Sequence, residues 1–227
     1  MTQSRYGDID NPPPFHDNWD GVHCTECCAW SAIDYFEPDN NFSAEDIDRL
    51  GNKIPGKWNW PQFMVKSLLD RGYDIVRISS GKTADIVQKG AKQYLIDLQG
   101  EEAAMISIEN SPSLNDIEKV CAELLEKSSS KEITRVPTIE DIKNLLNDGF
   151  LIQSMVNARA LNSNDGYAGH AVLIYGLDDE YIYFHDPDIP GIPNRKEKID
   201  FFVQCAKNPK ETNWYLIAYK RALRDLA

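Results

Sequence analysis

At 227 residues, with 42% hydrophobic and 26% charged side chains, the chain has the make-up of a globular protein long enough to bury a sizeable core. A formal net charge of -12 at pH 7 opposes contact with a phosphate backbone, which excludes nucleic acid as an expected partner. No apolar run approaches the ~20 residues that cross a bilayer, and the start MTQSRYGDIDNPPPFHDNWD lacks the charged-then-apolar pattern of a signal peptide. No membrane contact and a cytoplasmic location are therefore expected. Five cysteines are present and three crowd into 24–28, too close together to staple distant loops, so a disulfide scaffold is not expected.

Residues 1–22 read as an irregular lead-in rich in Pro, Asp and Asn. From Cys24 to Phe36 the residues Cys28, Ala29, Ala32, Ile33 and Phe36 recur at helical spacing, and Pro38 ends that helix. Ser43, with Asp46 as its capping-box partner, opens a second helix through Leu50. The loop GNKIPGKWNW leads to a third helix over 61–71, stopped by Gly72. The pattern then predicts a strand at Tyr73–Ser79, a helix at Thr83–Leu98 and a strand at Ala103–Ile108. A charged helix over 113–127 follows, with the polar loop Ser128-Ser129-Ser130 after it. Pro137 and Thr138 open the helix IEDIKNLLND, which Gly149 closes. Beyond Gly149 the period changes. Phe150–Val156, His170–Leu177, Tyr181–His185 and Trp214–Tyr219 are β-branched or aromatic runs of strand length, interrupted by a helix near 198–207. Helices first and an antiparallel sheet later is an α+β pattern.

Cys24 heads the first apolar helix. The free N–H groups and the positive end of the helix dipole favour an anion there, so a thiolate nucleophile is one reading. Three others stand beside it. Cys24, like Cys27 and Cys28, has the character of a small buried hydrophobe. Cys24-Thr25-Glu26-Cys27 is formally a redox Cys-x-x-Cys, although no strand precedes it. His23, Cys24, Cys27 and Cys28 as metal ligands would be cramped, and no metal is expected. Asp178-Asp179-Glu180 and Asp186-Pro187-Asp188 lack the spacing of a calcium loop and read as turns.

His170 begins the strand GHAVLIYGL and Asp186 ends the next, YIYFHDP. In a hairpin centred on Asp178 the two would lie opposite each other on one face, where a carboxylate orients an imidazole. His185 would turn to the other face, as a structural or surface residue. Trp58 and Trp60, in their Gly/Pro loop, are candidates either to line a cleft or to pack within the loop. Cys121 and Cys205 fall on helical segments as core residues.

A helix-borne Cys far upstream of a His and an Asp on successive strands follows the order of papain-like cysteine enzymes. GHAVLIYGLDDEYIYFHDP resembles the His/Asp hairpin of the bacteriocin-processing (double-glycine leader) peptidase family and its stand-alone relatives. CTECCAWSAIDYF resembles that family's nucleophile helix, and PTIEDIKNLLNDGFLIQSMVN the helix, Gly and strand before its histidine. The match covers about a third of the chain. It implies one papain-like domain over 1–227, with a helical subregion at about 24–148 and a sheet subregion at about 150–220. It also implies a Cys24–His170–Asp186 set that cleaves a peptide or amide bond through a thioester, without a cofactor. Asn18 stands where the family usually has an oxyanion-binding Gln, and Thr25-Glu26 follow the nucleophile where Gly is usual. Asp17 and Glu26 would bring negative charge near the sulfur. An acyltransferase of the same fold and a degenerate binding module are the alternative readings.

Overall fold

The computed structural model describes residues 4–126 and 130–221. In chain order the elements are β1 (Arg5–Gly7), α1 (Cys24–Phe36), α2 (Ala44–Gly51), α3 (Pro61–Asp70), β2 (Tyr73–Ser79), α4 (Thr83–Lys89), α5 (Ala91–Gln99), α6 (Glu101–Asn110), α7 (Leu114–Leu125), β3 (Ser130–Thr134), α8 (Ile139–Asn147), β4 (Leu151–Asn157), α9 (Ala158–Leu161), β5 (Gly169–Asp178), β6 (Tyr181–Asp186), β7 (Ile192–Lys198), α10 (Ile199–Ala206) and β8 (Tyr215–Arg221). Of the predicted loop after α7, Ser128 and Ser129 lie outside the described residues, and Ser130 opens β3.

Helices and a largely antiparallel sheet give the α+β class expected from sequence. The sheet runs β3-β2-β8-β4-β5-β6-β7, and β1 pairs with the far end of β5. Its edge pair β2–β3 is parallel, unlike the all-antiparallel sheet expected, and β1, β2 and β3 join it from before residue 150. On one face α1 buries Cys28, Ala29, Ala32 and Ile33 against Ile75, Leu173, Ile217 and Tyr219. On the other, α8 and α10 bury Ile142, Leu145, Phe202 and Cys205 against Ile152, Ile174, Phe184 and Leu216. The alternation along β5 and β8 thus feeds two cores, which is why these strands read as continuous apolar runs. A third cluster, including Trp60, Tyr94, Leu95, Leu98, Ala104 and Cys121, joins the start of α3 to α4–α7.

Local chemistry explains most boundaries. Ser43 and Thr138 accept from the N–H groups of Asp46 and Asp141, whose carboxylates accept in return from the cap residues' own N–H groups. Two sequence expectations change. The helix expected over Thr83–Leu98 breaks at Gly90, whose φ of +84° suits glycine, so α4 and α5 are separate. The strand expected at Ala103–Ile108 is the body of α6: Ala103, Ala104 and Ser107 are buried at helical spacing, and Glu101 and Glu102 favour the first turn.

The β5–β6 hairpin carries the decisive irregularity. Its inner part pairs Leu177 with Ile182, but its outer part pairs Ile174 with Phe184 and Leu173 with His185, so Tyr175 is an inserted bulge residue. A side chain alternates face at every residue, and the unbulged register would place His170 and Asp186 on opposite faces. With the bulge they share one. The hairpin is therefore not centred on Asp178 as expected; in the outer register Asp186 extends opposite Val172, with His170 diagonal to it.

Candidate active site

The site forms where β5 begins, β6 ends and the N-terminus of α1 comes over them. His170 is buried, and its Nε2 lies 2.6 Å from Asp186 Oδ1. The Cys24 side chain is near enough to the same imidazole to help raise its pKa. Because Nε2 is engaged by Asp186, Nδ1 is the nitrogen left for the sulfur. Burial works against the imidazolium, but the bond to Asp186 and the nearby Cys24 outweigh it and push the His170 pKa up to about 10. Burial also disfavours the Asp186 carboxylate, yet His170 and Arg195 hold its pKa below the usual value.

Arg195 was not legible in the sequence. It lies on β7 opposite Phe184 and donates from Nη1 to Asp186 Oδ2 at 2.7 Å. Its remaining donors reach Asn162 Oδ1, the Leu161 carbonyl and Glu197 Oε1, so all five N–H groups of the guanidinium are used. Asp186 is thus fixed from both sides, between an imidazole and a guanidinium. Asp188 also approaches His170 and Asp186, with one ligand atom from each within 4.8 Å of the others. Both carboxylate oxygens of Asp186 are already taken, Oδ1 by His170 and Oδ2 by Arg195.

The neighbouring cysteines have other surroundings. Cys27 is buried and its Sγ donates to the Asp17 carbonyl at 3.3 Å; Cys28 lies in the core under α1. Burial, reinforced by the neighbouring sulfur of Cys24, raises both their pKa values. All five cysteines are free, and Cys24 alone is not fully buried. Cys121 and Cys205 are core residues. His185 faces away from Asp186: Nε2 lies 2.7 Å from the Pro13 carbonyl and Nδ1 accepts from the Asn194 N–H, which fixes one neutral tautomer and ties the lead-in to the hairpin.

Asn18 is buried just ahead of α1. Its Oδ1 accepts from the N–H groups of Gly21 and His23, at 3.0 Å each, and so braces the turn that delivers Cys24.

Glu26 does not stand as a bare charge beside the sulfur. It is wholly buried, with Oε1 accepting from Asn59 Nδ2 at 2.6 Å and Oε2 lying 3.6 Å from the Lys53 ammonium. Lys53 also donates to the Val22 carbonyl. Burial raises the Glu26 pKa, opposed by Lys53 and Asn59. The pair binds the 52–60 loop to the head of α1, and so carries Trp58 and Trp60 to the cleft. Lys53→Met is expected to cost about 3 kcal/mol in urea unfolding, more at pH 8 than at pH 5, because an unpaired Glu26 must be buried protonated. Adding Glu26→Gln should recover most of it. A single variant as stable as the parent at both pH values would remove this role.

Cys24 and Thr25 open onto a cleft of about 110 Å³ walled by Trp58, Trp60, Tyr94, Leu98 and Tyr215. Both loop tryptophans therefore line it, and Trp60 is also fixed by its Nε1 donating to Ser111 Oγ at 2.8 Å.

No family model matches the chain, and no curated protein matches it. A crystal structure from Bacillus anthracis described as a C39-like peptidase is similar at a TM-score of 0.46 and 12% identity, over 96% of this chain and 98% of that one. The α+β class stands on the chain's own architecture. Among the described residues, no helix is long and apolar enough to cross a membrane.

Proposed function

We propose that the protein is a papain-like thiol hydrolase that cleaves a peptide or amide bond. The observation that carries this reading is the buried His170, bonded to Asp186 and raised in pKa by the neighbouring side chain of Cys24 at the head of a helix. With its pKa pushed up to about 10, His170 is a strong enough base to take the Cys24 proton and hold it beside the sulfur. The thiolate attacks the carbonyl carbon. The oxyanion is met by the Cys24 N–H and the Asn18 amide, whose Oδ1 is already committed to the turn, leaving Nδ2 as donor. His170 then protonates the leaving amine from Nδ1, giving a thioester. Next it takes a proton from the water that hydrolyses the thioester. Asp186, held by Arg195, keeps Nε2 protonated throughout.

Iodoacetamide labelling near pH 6, read by peptide mass spectrometry, tests the ion pair. Cys24 is expected to react faster than the other four cysteines by an order of magnitude or more, on the order of the gain a thiolate has over a thiol there. Exposure alone would also favour Cys24, so the deciding comparison is His170→Ala, which should slow Cys24 by a similar factor. Equal Cys24 rates in the parent and in His170→Ala would sink the reading.

A further inference from the structure

Resting on the hydrolase reading, we infer that the cleft beside Cys24 selects a tyrosine next to the bond that is cut. The walls are aromatic and aliphatic, and Cys24 shares them with a polar group that has no counterpart in the chemistry above. Arg77 comes from β2, is 8% exposed, and lines the same cleft. Its Nη1 donates to Thr83 Oγ1 at 2.6 Å and its Nη2 lies 3.4 Å from Glu132 Oε1. Glu132 Oε1 also accepts from the Thr83 N–H and hydroxyl, at 3.1 and 2.8 Å.

The guanidinium charge is thus balanced inside the protein, but Arg77 Nε is buried with no hydrogen-bond partner. A buried N–H without an acceptor is costly, so it marks where a ligand oxygen belongs. Because Glu132 already neutralises Arg77, a neutral oxygen suits the position better than a second carboxylate. Gln62, at the start of α3, lines the cleft too, and its Oε1 is a buried acceptor without a donor. A hydroxyl can answer either atom, since its oxygen accepts from an N–H and its proton is donated to a carbonyl. An aromatic body for the walls of Trp58, Trp60 and Tyr215, with a hydroxyl at its tip, is the side chain of tyrosine.

The test uses full-length Cys24→Ala protein and calorimetric binding of capped pentapeptides Ac-Ala-Ala-X-Ala-Ala-NH2, with X as Tyr, Phe or Gly. Tyr is expected to bind at least about tenfold more tightly than Gly, for the buried ring, and about fivefold more tightly than Phe, for the hydroxyl's bonds. Arg77→Met combined with Glu132→Gln removes the donor without stranding a charge, and should bring Tyr down to the affinity of Phe. Gln62→Met, at a half-buried position, provides the same comparison should the double variant fail to fold. Equal binding of Tyr and Gly, or no binding of any peptide, overturns the inference. Binding needs no turnover, so the two readings separate. Tyr selectivity with no cleavage by the parent enzyme defeats the hydrolase alone, and cleavage indifferent to X defeats the tyrosine pocket alone.

Discussion

Replacing Cys24 with Ala is expected to lower kcat/KM for peptide cleavage by about 10⁴-fold or more, measured by mass spectrometry on a mixed peptide pool. Serine should not rescue it. A serine hydroxyl is far less acidic than a thiol, so it does not give up its proton to His170 to form the anionic nucleophile. Cys24→Ser is therefore expected within about tenfold of Cys24→Ala. Cys27→Ala and Cys28→Ala should keep the parent's rate within a few-fold, because both sulfurs are buried away from the cleft and their pKa values are raised. Cys24→Ala with His170→Ala should be no slower than either alone, as groups that act as one unit are not additive. Activity that survives Cys24→Ala and disappears with Cys27→Ala would assign the nucleophile elsewhere.

The second large effect concerns Asp186 and Arg195 together. An Asn at 186 has one acceptor oxygen for two donors. Arg195 Nη1, at 2.7 Å, can only donate, so the amide oxygen turns to Arg195 and its N–H2 group faces His170 Nε2. Nε2 must then accept, the ring proton moves to Nδ1, and the imidazolium is lost. Asp186→Asn is expected to reduce kcat/KM by about 10³- to 10⁴-fold. Adding Arg195→Met frees the amide to turn round, and should recover tenfold or more of the loss. A double variant slower than Asp186→Asn would contradict this account.

The same variants carry a stability signature. Arg195→Met alone strips one partner from a buried carboxylate, at a cost of about 3–5 kcal/mol in urea unfolding. In the parent, His170 has a folded pKa above its ordinary 6.5. Its ionic contribution is complete below pH 6.5 and is lost as the pH rises through about 10. Parent stability should fall across that window, and Asp186→Asn should flatten the slope.

Much of this arrangement could be read from the chain, residue by residue. His170 and Asp186 were legible because a Gly-His opens one apolar strand, an Asp-Pro closes the next, and Asp178-Asp179-Glu180 can only turn between them. Their shared face was expected from a hairpin centre that the structure does not have. Two displacements cancel: the turn is shifted, and the Tyr175 bulge restores the parity. Nothing in the composition of an alternating apolar strand announces a bulge. Arg195 stayed hidden because β7, with the sequence IPNRKEK, is largely exposed and has no apolar alternation to mark it as a strand. The only signal was its place just past a Pro-Gly turn, where a third strand of a meander would return beside Asp186. At α6 the run AAMISI reads as strand by hydropathy. Its paired alanines and the two glutamates before it were the helical signal. The pairing of Glu26 was not legible for a different reason, since its partner Lys53 comes from a loop whose approach no local pattern encodes.

The position of β8 has a consequence for the order in which the molecule can come into being. This last strand of the described chain does not sit at an edge; it is inserted between β2 and β4, and Tyr215, Leu216 and Ile217 form part of the cleft. While the chain is still being made, α1 and its thiol exist long before β8. Until β8 arrives, the pair β2–β3 has no neighbour to join, and the cleft lacks a wall. A nascent chain would therefore carry its nucleophile without a formed substrate site. On the proposed function, the topology would thus keep each chain idle until its own β8 is in place.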